Sequence, residues 1–179
     1  ENISQRFSSI ITVEENTVAP DRSTRTGVKI STGAVDLTTS SYEVPGSSAK
    51  VSFGDALATL RDNSRAAVRS DPTTNQNEIT VSQGVAEVAR GGEQIQLGQW
   101  ERANFATGGT VSKSRVLAPP DLLEPLNLYP LSSDDPRREA IKFGWKSVSG
   151  AVSYHLRISS SMMFTQVASE KRVQTNSAV

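Results

Sequence analysis

Alternation is the strongest constraint in this chain. Residues 79–100 read ITVSQGVAEVARGGEQIQLGQW, and their apolar side chains recur at every second position: Ile79 and Val81, Ala86 and Val88, Ile95 and Leu97. A period of two belongs to a half-buried strand, because successive side chains leave a strand on opposite faces. Gly84 interrupts the run, and Gly91-Gly92 is a pair that tolerates positive φ. The stretch is therefore expected to be a hairpin with one buried face. Burying side chains of this size stabilises by about 1.5 to 3 kcal/mol each before entropy is subtracted, which accounts for the pattern without a ligand.

The same signal recurs upstream. VKISTGAVDLTT carries Val28, Ile30, Val35 and Leu37 around Gly33, and YEVPG closes on a Pro-Gly turn. AKVSFGDALATLRDNSRAAVRSDP reads two ways. As a helix it would line up Arg61, Arg65 and Arg69. As strands it alternates Val51 with Phe53, turns at Gly54-Asp55, ends a second strand at Leu60, turns at residues 62–64 and resumes with Ala66 and Val68. Strands are favoured, because Gly54 and Asn63 would weaken a helix where hairpins want turn residues. Nearer the start, Phe7, Ile10, Ile11 and Val13 fit either a short amphipathic helix or an edge strand, and APDRSTRTG reads as a loop. The fold class is expected to be all-β, built of short stacked antiparallel strands in a solenoid-like or sandwich arrangement.

Prolines mark the clearest boundary. APPDLLEPLNLYPLSSDDP holds Pro119, Pro120, Pro125, Pro130 and Pro136, too dense for a central sheet and expected to be an extended connector that packs its leucines on a neighbour. Beyond it come strand signals at residues 141–145 and 153–158. The expected organisation is an extension over residues 1–27, a β domain over 28–118, the connector over 119–136 and a partial second module over 137–179.

Composition narrows the function. With 19 basic and 19 acidic residues there is no excess positive field for phosphates, so nucleic acid is not an expected partner. Cysteine is absent, which removes disulfides, thiolate catalysis and Cys-ligated metal sites. No apolar run approaches the roughly 18 residues of a membrane span. The first residue is Glu1 rather than Met, which suggests that something upstream is missing, a signal peptide, an anchor or further sequence, and any membrane attachment is expected before Glu1.

Three segments carry a resemblance: FGDALATLRDNS from Phe53, ITVSQGVAEV from Ile79 and IQLGQWERA from Ile95. Together they resemble a FecR-type domain over about residues 28–110. Val81, Gly84, Ala86 and Val88 meet that family's V-x-x-G-x-V-x-V pattern, and Trp100 stands where its following turn has a second glycine. The resemblance implies an extracytoplasmic, non-enzymatic domain of short stacked strands. The best-known members relay iron-uptake signals from an outer-membrane receptor to a sigma factor. The anti-sigma segment and membrane helix that precede the domain in those members have no counterpart here, so the signalling role is not carried over. The tail FGWKSVSGAVSYHLRI resembles the first half of a fibronectin type III module, with Trp145 as its core aromatic and Tyr154, Leu156 and Ile158 alternating on the next strand. Only a partial sandwich would fit, and its open edge would invite pairing with a partner.

Candidate chemistry is sparse. His155 is the only histidine, lacks a G-x-S-x-G companion and is expected to face outward from a strand. Glu14-Glu15 and Asp134-Asp135 are adjacent, so in extended chain they should point apart. SDPTTNQNE at residues 70–78 lacks the spacing of a calcium loop and reads as a surface turn. Gly91-Gly92 has no Lys-Ser/Thr or helix after it and is no phosphate cradle. No catalytic, metal or cofactor residues are assigned, and no cofactor is expected. Trp100, Met162, Met163, Phe164, Arg137 and Arg138 are the candidates for partner contact. The expected function is that of a non-catalytic extracytoplasmic binding or scaffold protein acting through protein–protein contacts. The alternative is an accessory structural subunit on the periplasmic face of a large bacterial membrane complex. An envelope signalling regulator and a glycan-active enzyme stand behind both.

Overall fold

A computed structural model describes residues 9–42, 44–126, 129–132, 140–159 and 167–179. The chain is all-β, with every described element a strand, and it divides into two compact units, Glu1–Val116 and Leu117–Val179.

In the N-terminal unit the strands are β1 (Ile10–Val18), β2 (Thr24–Thr38), β3 (Ser48–Phe53), β4 (Ala56–Leu60), β5 (Arg65–Asp71), β6 (Gln76–Gln83), β7 (Ala86–Arg90), β8 (Glu93–Leu97), β9 (Glu101–Phe105) and β10 (Ser112–Arg115). They form one curled sheet in the order β10-β9-β6-β5-β2-β3-β4-β7-β8, with β1 beside β2. β2 joins its two halves. Residues 25–30 pair in parallel with β3, and residues 33–38 pair antiparallel with β5. Between them Gly33 (φ 98°) turns the strand, so that Val28 and Ile30 face inward before it and Val35 and Leu37 after it. A Cβ at Gly33 would lie 2.6 Å from Ser9 Cα.

The core is the alternation predicted from sequence. Phe53, Ile30, Leu60, Ile79, Leu97, Val51, Val68, Val81 and Val88 are all less than 2% exposed. Phe53 meets Phe105 at 5.5 Å between ring centroids. Strands β3, β4 and β5 occupy the positions read from alternation, and no helix forms over Gly54 to Arg69.

Three expectations need correction. Residues 79–100 are not one hairpin. β6 pairs with β5 and β9, whereas β7 and β8 pair with each other and continue the other half of the sheet. The chain crosses between the halves at Gly84 (φ 72°), where no antiparallel turn is made. Secondly, residues 10–27 are not an extension: β1 and the start of β2 lie in the sheet, and only the tip at residues 19–23 is a turn. Thirdly, the strands are not all antiparallel, since β2 and β3 run the same way.

Two polar clusters tie the connections together. Ser64, 1% exposed, accepts the Val85 amide on Oγ at 3.0 Å, and its own amide donates to Thr39 Oγ1 at 2.9 Å. Thr39 Oγ1 donates to the Arg61 carbonyl at 2.6 Å, so three connections share one satisfied network. At another corner Arg90, its side chain only 10% exposed, forms a forked pair with Asp55 at 2.7 and 2.8 Å. It also bonds the Gly109 carbonyl and lies 4.8 Å from the Phe105 ring centroid. Asp55 in turn accepts the Gly108 amide at 3.1 Å.

This pairing gives the fold a pH dependence. The hydrogen bond from Arg90 holds the Asp55 carboxyl below its ordinary range. The Gly98 amide and then Lys113 do the same for Glu101, the Ser23 hydroxyl for Asp21, and Thr74 for Asp71. A carboxyl depressed in the folded state binds fewer protons than in the unfolded chain, so stability rises with pH there. The contribution is complete above the ordinary carboxylate range, about pH 4, and is lost as pH falls through the folded value. A Tm profile from pH 7 to 2.5 should be steep at its acid end, and Asp55→Asn should flatten it. An unchanged acid slope in that variant would remove Asp55 from this account.

In the C-terminal unit, β11 (Leu122–Glu124), β12 (Phe143–Trp145) and β15 (Ser177–Ala178) form a three-stranded sheet, and β13 (Tyr154–Ser159) pairs with β14 (Val167–Val173). Trp145 meets Tyr154 edge-on at 5.4 Å between ring centroids, and Tyr154 Oη accepts the Val148 amide at 2.9 Å. Among the described residues, Trp145 and Ala178 are the buried apolar residues of this unit. Trp145 is thus covered rather than presented on an open face. The leucines of the Pro-rich segment do not pack as expected: Leu122, Leu123, Leu126 and Leu131 are 45–62% exposed.

Candidate interaction surfaces

Trp100 is the one predicted contact residue within the described structure. Met162, Met163, Phe164, Arg137 and Arg138 lie outside the described residues, as do Phe7 and Asp134-Asp135. Trp100 occupies the turn between β8 and β9 with φ 61°, the left-handed conformation that a glycine would supply. Its amide donates to the Val81 carbonyl at 2.8 Å and its carbonyl accepts the Val116 amide at 2.9 Å, so the strained backbone is pinned on both sides. Glu101 secures the same turn, accepting the Gly98 amide at 2.7 Å and pairing with Lys113 at 2.8 Å. A bulky residue at positive φ is a genuine outlier and costs about 1 to 2 kcal/mol. The half-buried indole recovers a similar amount, about half of the 1.5 to 3 kcal/mol of full burial. Trp100→Gly is therefore expected to leave stability within about 1 kcal/mol of the parent in urea denaturation. A loss well beyond that would make the indole a core residue rather than a surface one.

β1 is the second surface. It pairs only with β2 among the described residues, which leaves its other side open. Ile10, Ile11, Val13 and Val18 are 47–72% exposed. Ile11 lies opposite Ile30 and Val13 opposite Val28, and directly opposed residues share a face. The apolar face that β2 turns to the core thus continues, uncovered, onto β1. The register slips between Val13 and Glu15, and this bulge reverses the expectation for the two acids. A Cβ on Gly27 would stand 3.3 Å from Glu15 Cβ and 3.9 Å from Glu14 Cβ, so both side chains lie over the same face. Ser52 Oγ donates to Glu14 at 3.1 Å and Thr17 Oγ1 to Glu15 at 3.1 Å.

Concave regions are present in both units among the described residues. In the C-terminal unit an apolar groove of about 490 Å³ is lined by Leu123, Pro125, Leu126, Tyr129, Leu131 and Ile141. In the N-terminal unit a cleft of about 330 Å³ opens where β2 and β3 start, over Val28, Leu37, Ala49 and Leu60. Tyr42 borders it, donating to the Leu60 carbonyl at 3.3 Å, and burial pushes its hydroxyl pKa up.

The remaining titratable candidates are dispersed. His155 is exposed on β13 and pairs through Nε2 with Glu170 Oε1 at 2.5 Å. Asp71 accepts the Thr73 and Thr74 amides, making the turn expected at residues 70–78. Arg61 pairs with Glu87, while Arg65 and Arg69 project from the outer face of β5. Among the described residues no three His, Cys, Asp or Glu side chains gather as a metal site would require.

Sequence reasoning missed the Arg90–Asp55 clamp and the acidic bulge. The clamp joins residues 35 positions apart, and the bulge depends on the register with β2. The one available signal for the bulge was Gly27 itself, a small residue in a strand where a neighbour approaches closely.

Two crystal structures from Parabacteroides distasonis, each described as a putative anti-sigma factor, are similar to part of this chain. One has a TM-score of 0.46 and 14% identity, covering 59% of this chain and 60% of its own. The other has a TM-score of 0.45 and 15% identity, covering 56% and 55%. The chain thus spans less than two thirds of either. No family model and no curated protein matches the sequence.

Proposed function

We propose that the protein is a non-catalytic, extracytoplasmic binding or scaffold protein that works through protein–protein contacts. The observation that carries this reading is β1: a nine-residue edge strand that brings the apolar face of the core out to solvent at Ile11 and Val13. Unpaired strand edges with apolar side chains are templates for strand addition, and natural domains that keep them exposed use them or blunt them. The extracytoplasmic placement rests on the FecR-type resemblance of residues 53–103. The test is site-specific photo-crosslinking in the cell that makes the protein, with the crosslinker at Val13, Trp100 or Leu126 and a control at buried Val68. Discrete protein adducts at surface positions and none at Val68 are expected. The absence of adducts at all three surface positions would refute the reading.

A second reading, an accessory subunit docked on a membrane complex, has one observation in its favour. The C-terminal unit buries Trp145 and Ala178 alone among its described apolar residues, and the buried Trp145 indole N–H has no acceptor among the described residues. Two buried apolar residues among those described give little independent stability, and covering by a neighbour would add to it. Hydrogen exchange separates the two readings. Global protection of both units in the isolated chain counts for the scaffold, whereas an unprotected C-terminal unit counts for the subunit.

A further inference from the structure

We infer that Lys113 is a latch across the seam of the curled sheet, and that it keeps the two end strands, β8 and β10, from pairing with strands of a second copy of this chain. The inference concerns the chain itself and does not rest on the scaffold reading.

The strand order runs from β10 to β8, so among the described strands each of these two has a neighbour on one side alone. Curling brings the two ends within reach of a single side chain. Lys113 Nζ of β10 donates to the Gln96 carbonyl of β8 at 2.8 Å. It also lies 2.8 Å from Oε2 of Glu101 on β9, and the same oxygen accepts the Gly98 amide at 2.7 Å. One ammonium thus ties β10 to β8, to β9 and to the turn between them.

The direction of this side chain matters more than its charge. Lys113 is opposite Ala103, and Ala103 is opposite Ile79, both fully buried, so Lys113 stands on the core face of β10. An inward-pointing charge is one of the devices by which natural sheets blunt an edge. The side chain is 41% exposed, which places it at the rim of the core, where Ile95 and Val111 are half-buried. A lysine stem covers apolar surface of this kind while its ammonium reaches past it to polar partners.

What the ammonium occupies is what another strand would need. In an antiparallel ladder the N–H and C=O of one residue leave on the same side of the strand. Gln96 bonds Lys113, so Gln96 and, two residues away, Gln94 turn their backbone groups to the seam and not to β7. A further strand on β8 would pair with these groups and would displace the ammonium from the Gln96 carbonyl. Enclosing a charge that has lost an acceptor is costly, which a neutral edge would not be. The same lysine obstructs β10, because a strand added there would lie where its side chain crosses to β8.

The experiment compares the intact 179-residue chain with Lys113→Met, which keeps an unbranched stem without the ammonium, and with Lys113→Arg, which keeps charge and donors. Amide hydrogen exchange of residues 93–97 and 112–115 is followed as protein concentration is raised. In Lys113→Met, exchange at Gln94 and Gln96 is expected to slow at least about tenfold over a rise of about a hundredfold in concentration, as a second copy fills the edge by mass action. The parent and Lys113→Arg should show no dependence on concentration at these residues. Lys113→Gln, shorter, neutral and polar, is read in the same way should the methionine variant fail to fold. Exchange in the neutral variants that does not depend on concentration, whether faster than in the parent or equal to it, overturns the proposal, because Lys113 is then a structural contact of the seam and nothing more. Protection of these residues that grows with concentration in the parent or in Lys113→Arg also overturns it, since the edges then pair with the cation in place. So does association of the neutral variants that protects other residues and leaves these unchanged.

Discussion

Phe53→Ala is expected to destabilise the N-terminal unit by about 3 to 5 kcal/mol, the range for truncating a buried phenylalanine. Phe53 is 1% exposed, lies on β3 where the parallel and antiparallel parts of the sheet meet, and stacks obliquely on Phe105. Phe105 also carries the Arg90 guanidinium over its ring, so the loss of Phe53 loosens the clamp on Asp55 as well. For a unit of this size the cost corresponds to a fall in Tm of roughly 10 to 25 °C. Urea denaturation would show the transition moving to lower urea with little change in slope. A change below about 1 kcal/mol would mean that the pocket collapses around alanine and that Phe53 is not central to the core.

Gly84→Ala should cost at least about 3 kcal/mol, for two separable reasons. Gly84 has φ 72°, and a Cβ there would lie 2.8 Å from Ser64 Cα and 2.9 Å from the Asn63 carbonyl oxygen. Both are backbone atoms, and Ser64 is fixed by its bonds to Val85 and Thr39. Gly91→Ala is the control. Its φ of 54° carries the same left-handed penalty of about 1 to 2 kcal/mol, yet nothing lies within 4 Å of the added methyl. The difference between the two variants in denaturation measures the close approach itself. If they cost the same, the crossing between the sheet halves is held less tightly than the distances imply.

The residues that vary in this way also show how far the sequence could be read. Alternation located β3, β4 and β5 and identified Val51, Phe53, Leu60, Val68, Ile79, Val81, Val88 and Leu97 as inward, because burial of one face imposes a period of two. It could not say which strand each would pair with. A buried face needs an apolar cover and accepts many, so β6 and β7 read as one arm interrupted at Gly84 and paired with β8 across Gly91-Gly92, whereas β6 belongs to the other half of the sheet. The glycine position filled by Trp100 was visible as a departure from the FecR-type pattern. That the indole tolerates φ 61° there depends on two backbone bonds, to Val81 and Val116, made by distant segments.

The surface proposed for function was the least legible part. Ile10, Ile11 and Val13 read equally as a helix face or an edge strand, and Glu14 and Glu15 should have pointed apart. Only the register with β2, slipped by one residue beside Gly27, turns both acids to one side and leaves the apolar residues on the other. The sequence by itself determined that this chain is all-β and which side chains face inward, because period-two burial is a local property of each strand. The tertiary structure alone decided the order of the strands, the parallel junction at β2 and the bulge that turns Glu14 and Glu15 to one face. Each of these is set by contacts between segments far apart in the chain, and a local pattern carries no record of its neighbours.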